Sequence, residues 1–134
     1  MRTILLAPLF ILAFLLAGTS AQAEKVLYCQ TELTTGFLQD SVKGHWRLGN
    51  FSPQRWIMKF DNDFSTLTLD RKMFNCESLF DDNPHLIVCR SNYSETLTFN
   101  KNLMRFVLSD LSLFAFTDEG DDADGLFAGI CEDS

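Results

Sequence analysis

Short runs in which apolar and polar side chains alternate recur along the chain after residue 24, and such runs predict β-strands. The clearest run covers residues 64–70, where Leu67 and Leu69 point to one side of the strand and Thr66 and Thr68 to the other. Weaker runs, rich in β-branched and aromatic residues, predict further strands. They lie at residues 26–31, 36–38, 45–51, 55–60, 86–89, 95–99, 103–108, 111–116 and 126–131.

Turn signals separate these runs. Residues 61–63 and 100–102 predict hairpin turns, because Asn and Asp tolerate the left-handed backbone. Residues 82–84 predict another turn, and residues 71–82 are ambiguous and leave room for a helical turn. Because some of these ten runs are too weak or too short to count as separate strands, we expect about seven to nine strands. No long 3.6-residue apolar period occurs. The number and spacing of these strands predict an all-β domain, either a small antiparallel β-barrel or a β-sandwich.

The first 23 residues follow a different pattern. Arg2 gives a positive start, residues 4–18 are apolar, and Ala21 and Ala23 form an A-x-A cleavage site. We therefore expect a signal peptide over residues 1–23 and one exported domain, periplasmic or secreted, over residues 24–134. The apolar stretch is shorter than the roughly 20 residues that span a bilayer, and no later stretch is longer, so no membrane span is expected after cleavage.

Four cysteines lie in the exported part of the chain, an even number that suggests two disulfides in a small exported domain. Four cysteines allow three pairings. We favour Cys76–Cys89, which would close a short local loop, and Cys29–Cys131, which would join the first strand to the last. A zinc site of four thiolates is the competing interpretation, but the chain has no C-x-x-C pair.

Aromatic residues are abundant: eleven phenylalanines, two tryptophans and two tyrosines follow residue 23. Most are expected in the core, because aromatic side chains fill the space between β-layers. An apolar ligand pocket inside a small barrel is the alternative.

The charge is distributed unevenly. The chain carries a net −7, which becomes −8 once Arg2 is removed with the signal peptide. Residues 24–109 hold ten acids and ten bases, whereas residues 110–134 hold eight acids and no base. An acidic region of this kind repels nucleic acid and attracts basic proteins and cations. It also favours a soluble monomer.

The densest acidic stretch is DEGDDADG, residues 118–125. It does not fit the EF-hand pattern, since the first and twelfth ligand positions would be glycine and cysteine. A looser calcium site could use four carboxylates, and the same carboxylates could contact a basic partner protein. The alternative is a solvated turn in which the glycines supply positive φ. The four predicted contact residues are Asp118, Asp121, Asp122 and Asp124.

Signals for catalysis are few. The two histidines, His45 and His85, lie in no nucleophile or metal motif, and no G-x-S-x-G, H-E-x-x-H or phosphate-binding loop occurs. We therefore predict a protein that is not an enzyme and needs no cofactor. A small hydrolase whose site assembles from dispersed residues is the alternative.

Three places in the sequence resemble an uncharacterised family of small exported proteins of Gram-negative bacteria. They are Tyr28-Cys29 soon after the cleavage site, the segment FNKNLMRF at residues 99–106, and the acidic stretch before Gly129-Ile130-Cys131. The resemblance implies a two-disulfide β fold and carries no established activity.

The chain is also similar to periplasmic lysozyme inhibitors, which are small, exported, disulfide-tied β-barrels that begin with a similar Tyr- and Cys-containing strand. Their inhibitory loop S-A-S-G-A-R-Y does not occur here. This similarity implies, as an alternative function, an inhibitor of a basic host enzyme. The prediction favoured by the sequence is a non-catalytic exported binding domain, or an envelope-associated one.

Overall fold

The computed structural model describes residues 24–39, 45–110 and 123–134. Nine antiparallel strands and no helix occur in these ranges, which confirms the all-β prediction. The strands are β1 (Lys25–Gln39), β2 (Trp46–Gly49), β3 (Arg55–Phe60), β4 (Thr66–Leu69), β5 (Lys72–Phe80), β6 (Asn83–Ser91), β7 (Thr96–Asn100), β8 (Arg105–Asp110) and β9 (Ala123–Asp133). The described ranges contain no helix with the length and hydrophobicity that crossing a membrane requires.

Eight of the strands close into a barrel, so of the two predicted architectures the barrel is the observed one. Strands β3 to β9 follow one another around the wall, and β1 pairs with β3 on one side and β9 on the other. The short β2 pairs with the last four residues of β1 as an additional strand. Closure leaves most strands without a free edge, and this removes the commonest route to edge-to-edge aggregation.

Inward-facing apolar residues fill the barrel. Phe60, Phe74, Phe99 and Phe106 are its largest fully buried side chains, so the core interpretation is confirmed for them. Near one end, the ring of Phe60 stacks on that of Phe99 with centroids 5.2 Å apart. Aromatic pairs of this kind add to the free energy of area burial.

Both predicted disulfides are present. Cys29–Cys131 joins β1 to β9 at the seam that closes the barrel, and Cys76–Cys89 joins the neighbouring strands β5 and β6. The sequence separations are 102 and 13 residues. Two disulfides and no free cysteine fit an oxidising compartment.

A β-bulge divides β1 into two parts. The register against β9 shifts between Thr31 and Leu33, so Glu32 is the extra residue. Gly129 faces Thr31 at this point, and a Cβ on Gly129 would lie only 2.0 Å from the carbonyl oxygen of Gln30. The close approach of the two backbones therefore requires glycine at position 129.

The bulge also reverses the side of the strand that faces the core. Leu27 and Thr31 are buried before it, whereas after it Leu33 points outward and is 72% exposed. Residues 36–38, which the pattern predicted as a separate strand, continue β1 beyond the bulge.

The ambiguous residues 71–82 contain no helical turn; they form β5 and the first part of its hairpin to β6. Asp70 and Arg71 both have positive φ, 46° and 68°, in the two-residue turn that precedes β5. This turn type normally uses Asn-Gly or Asp-Gly, so the pair Asp70-Arg71 carries no recognisable signal for it. The turn predicted at residues 82–84 lies at residues 81–82 instead, because Asn83 already pairs with Phe80.

Several predictions fall on residues outside the described ranges: the signal peptide at residues 1–23, the strand at residues 111–116, and the contact residues Asp118, Asp121 and Asp122. The backbone of Asp124 lies in β9, opposite Phe37 of β1.

Candidate functional site: the outer face of β8, β9, β1 and β3

The strand register brings six large apolar side chains together on the outside of the barrel. Paired residues of a sheet point to the same side, and so do residues two apart along a strand. Ile57 of β3 pairs with Tyr28 of β1, and Ile130 of β9 lies on the other side of β1. Ala128, also in β9, pairs with Leu33 of β1 on one side and with Val107 of β8 on the other. We call this surface the apolar face and define it by Tyr28, Leu33, Ile57, Val107, Leu126 and Ile130.

All six side chains of the apolar face are open to solvent, with exposed fractions between 37% and 72%. They account for half of the twelve large apolar side chains that are exposed in the described part of the chain. Leu48 of β2, opposite Phe37, extends the same surface at one end. Soluble monomers rarely expose contiguous apolar patches of this kind without a function in binding.

Three concavities border the apolar face. The first, which we call the Tyr28 groove, has a volume of about 490 Å³ and is lined by Tyr28, Ile57, Ile130, Arg55 and Glu132. The other two measure about 400 Å³ and about 590 Å³, and Glu32 and Leu33 line both of them. The bulge of β1 therefore builds a ridge between two shallow depressions.

Charged side chains surround the apolar centre in balanced number. Arg55 and Arg105 are the basic groups and Glu32 and Glu132 the acidic ones, and all four are exposed. The salt bridges of the described residues involve none of these four. An apolar centre with unpaired charges at its rim has the composition of a protein–protein contact surface.

An ion pair joins the half-exposed Lys72 at the start of β5 to the buried Glu95 just before β7. Glu95 is only 5% exposed, and its second carboxylate oxygen accepts a hydrogen bond of 3.0 Å from the Ser91 hydroxyl. The hydrogen bond from Lys72 to Glu95 raises the pKa of Lys72, against the lowering effect of burial. A lysine held protonated in this way stabilises the β6–β7 hairpin through its ion pair. It is unsuited to acting as a base or nucleophile.

The two histidines that the sequence analysis considered for catalysis lie outside the concavities of the apolar face. His45 and His85 are both exposed, and neither lines any of the three concavities. Across the described ranges, no group of three His, Cys, Asp or Glu side chains could hold a metal ion. Of the four predicted acidic contact residues only Asp124 lies in these ranges, so the calcium and basic-partner hypotheses for that stretch stay predictions.

The apolar face was missed in the sequence, although one signal for it exists. Residues 126–130, LFAGI, are apolar at every position, so both sides of β9 are apolar. Such a run is typical of a strand covered on both faces, whereas a barrel strand needs only its inner side buried. Comparisons of the chain with protein-family models, with curated proteins and with solved structures found no match.

Proposed function

We propose that this protein is a non-catalytic, exported binding domain whose contact surface is the apolar face. The observation that carries the proposal is that, among the described residues, half of the exposed large apolar side chains lie on four neighbouring strands. Covering these side chains would remove apolar area from water, which is the main favourable term in protein association. Export is supported by the predicted signal peptide, by the two disulfides and by the resemblance to exported proteins of Gram-negative bacteria.

The non-catalytic part of the proposal is supported by the positions of the ionisable side chains. The two exposed histidines have no carboxylate arranged beside them in any of the three concavities, and Lys72 is paired with Glu95. Most of the surface that lines the concavities is apolar, and this favours contact with a protein over proton transfer.

Site-specific photo-crosslinking in a Gram-negative host that exports the chain tests the proposal. A photoreactive phenylalanine analogue replaces Tyr28 in the apolar face, and a matched variant carries it at Met73, an apolar residue of β5 that is 66% exposed on the opposite side of the barrel. We expect a defined adduct from position 28 and none from position 73. Equal adducts from both positions, or none from position 28, would contradict the proposal.

A second candidate function follows from the acidic C-terminal quarter. Eight acids and no base in residues 110–134 favour binding to a basic protein, as in an inhibitor of a basic host enzyme. Inhibition of lysozyme by the oxidised protein, measured at low and high salt, tests this function. The candidate requires inhibition that weakens steeply with salt and is reduced when Asp121, Asp122 and Asp124 are changed to Asn. Absence of inhibition at low salt would remove lysozyme as the target.

A further inference from the structure

The charges around the Tyr28 groove point to one particular partner, and this inference rests on the proposed function of the apolar face. We propose that the partner is a second copy of this chain, packed face to face about a two-fold axis. In this arrangement Arg55 of each copy lies against Glu132 of the other, and the apolar side chains between them are buried.

Six residues of β3, β1 and β9 form a rectangle on the outside of the barrel. Arg55, Gln30 and Ile130 share one row of the sheet, and Ile57, Tyr28 and Glu132 share the next, two residues along each strand. Arg55 and Glu132 therefore occupy one pair of opposite corners, and Ile57 and Ile130 occupy the other pair.

The spacing keeps the two charges of one copy apart. Strands lie about 4.8 Å apart and alternate residues about 6.8 Å apart, so opposite corners of the rectangle are roughly 12 Å from each other. No salt bridge joins the two side chains within one molecule, and the described residues offer neither Arg55 nor Glu132 another salt bridge. Each of the two charges is therefore available to a partner.

A two-fold axis along the Ile57–Ile130 diagonal makes this surface complementary to itself. Rotation about an axis in the plane of the contact carries the Arg55 corner to within about 4 Å of the Glu132 corner, so that Arg55 meets Glu132 of the other copy twice. The isoleucines and Tyr28 lie close to the axis, where each packs against its own equivalent or a neighbour. Such an isologous contact closes at two copies and does not propagate into a filament.

The rim of the face adds no charge that would oppose the pairing. The charges of Arg105 and Glu32 are opposite and cancel. Farther out, Lys59 is already paired with Glu24, and Asp133 with Lys25. Four strands by four rows give a projected footprint of about 500 Å² per copy, which is at the small end of specific interfaces. A dimer of modest affinity, with a dissociation constant in the micromolar range, is expected from a contact of this size.

Sedimentation velocity of the oxidised exported domain tests the arrangement by charge exchange. The wild-type protein should shift from monomer to dimer as its concentration rises from about 1 µM to about 300 µM. Arg55→Glu alone and Glu132→Arg alone each place like charges together, so either change should abolish the shift. Arg55→Glu combined with Glu132→Arg rebuilds both ion pairs in reverse and should restore it.

A matched control exchanges a charge pair on the other side of the barrel. Arg90 and Glu77 form an exposed salt bridge between β6 and β5, and the Arg90→Glu, Glu77→Arg double variant should dimerise like the wild type. All the changed residues are exposed, and an unaltered thermal midpoint checks that each variant folds.

The outcomes separate this inference from the proposed function. A wild type that stays monomeric, single variants that still dimerise, or a double variant that fails to do so would each overturn the second copy as partner. The crosslinking at position 28 then decides the proposed function by itself. An adduct of twice the chain mass supports the dimer, an adduct of another mass supports the face with a different partner and rejects the dimer, and no adduct rejects both.

Discussion

The wall of the barrel has two halves that differ on the outside much more than on the inside. Strands β4 to β7 and strands β8, β9, β1 and β3 both turn leucine and phenylalanine inward. The outward residues of β4 to β7 are mainly polar, among them Thr66, Thr68, Asn75, Thr96 and Thr98. The other half exposes the apolar face.

The contrast separates the side chains whose apolar character folding requires from the outward side chains that folding does not constrain. A barrel needs one apolar side per strand, and the polar half shows that threonine and charged residues serve well on the other side. Exposed isoleucine, leucine and tyrosine on four adjacent strands add nothing to that core. The contact proposed for the apolar face, which would cover these side chains, accounts for their presence.

The largest difference in stability between the halves is expected from their disulfides. Removing Cys29–Cys131 by a double change to Ala should lower the free energy of unfolding by about 5 kcal/mol, because this bond closes a loop of about 100 residues. Removing Cys76–Cys89 in the same way should cost about 3 kcal/mol, because its loop has 13 residues. Urea unfolding of the two variants measures both values. Equal losses of unfolding free energy in the two variants would show that the larger loop closed by Cys29–Cys131 adds no stability.

The bulge that shapes the apolar half depends on Gly129. Gly129→Ala should destabilise the protein by about 3 kcal/mol, since the added methyl group overlaps the backbone of Gln30 and the strands must separate. Thr98→Ala on β7 is the control from the polar half and should cost less than about 1 kcal/mol. Chemical denaturation compares them, and a loss below about 1 kcal/mol for Gly129→Ala would contradict the tight approach of β1 and β9.

The ion pair between Lys72 and Glu95, in the polar half, should show energetic coupling between its two partners. Lys72→Met leaves the buried Glu95 carboxylate without its cation and should cost about 2 kcal/mol, and Glu95→Gln in the same background should recover part of that loss. Because the pKa of Lys72 is raised on folding, its contribution is fully present below its ordinary pKa of 10.5 and is lost as pH rises through the folded value. A double-mutant cycle in urea at neutral pH and above pH 10.5 measures both effects. Strict additivity of the two changes would rule out the pairing.

The smallest effect is expected at Asp61, in the turn that connects the two halves between β3 and β4. Removal from water acts to raise its pKa, but hydrogen bonds from the Ser65 hydroxyl and the Ser65 and Thr66 amides lower it to about 2. A lowered carboxyl pKa stabilises the fold above the ordinary value of 3.8, and this stabilisation is lost as pH falls toward 2. Asp61→Asn should therefore flatten the decline of the thermal midpoint between these pH values. A decline as steep as that of the wild type would show that Asp61 makes no difference to acid stability.

Much of the fold could be predicted from local pattern. Strand β3 matches the predicted residues 55–60, and the strict alternation of residues 64–70 identified β4, because inward and outward side chains differ in polarity there. Strand β5 was uncertain because Asp70 and Arg71 make a left-handed turn without glycine or asparagine, and pairing with β4 and β6 determines that conformation.

The candidate site could not be predicted in the same way. Ile57, Tyr28 and Ile130 are far apart in sequence, and they become neighbours only through the register of β3, β1 and β9. The bulge adds a further obstacle, because it reverses the inward side of β1 and turns Leu33 outward. The alternation of polar and apolar residues along one strand does not indicate which strands pair with it or where a bulge lies.

The two tyrosines of the chain provide the most direct test that the apolar face is covered by a partner. Tyr28 lies in the face and is 53% exposed, and Tyr93 lies in the β6–β7 turn and is 74% exposed. Hydroxyl-radical footprinting can compare their oxidation in the exporting cell and in dilute purified protein. We expect Tyr28 to be protected from oxidation in the cell relative to Tyr93, while in dilute protein both tyrosines react in proportion to their exposure. The same ratio of Tyr28 to Tyr93 oxidation in both settings would contradict this expectation.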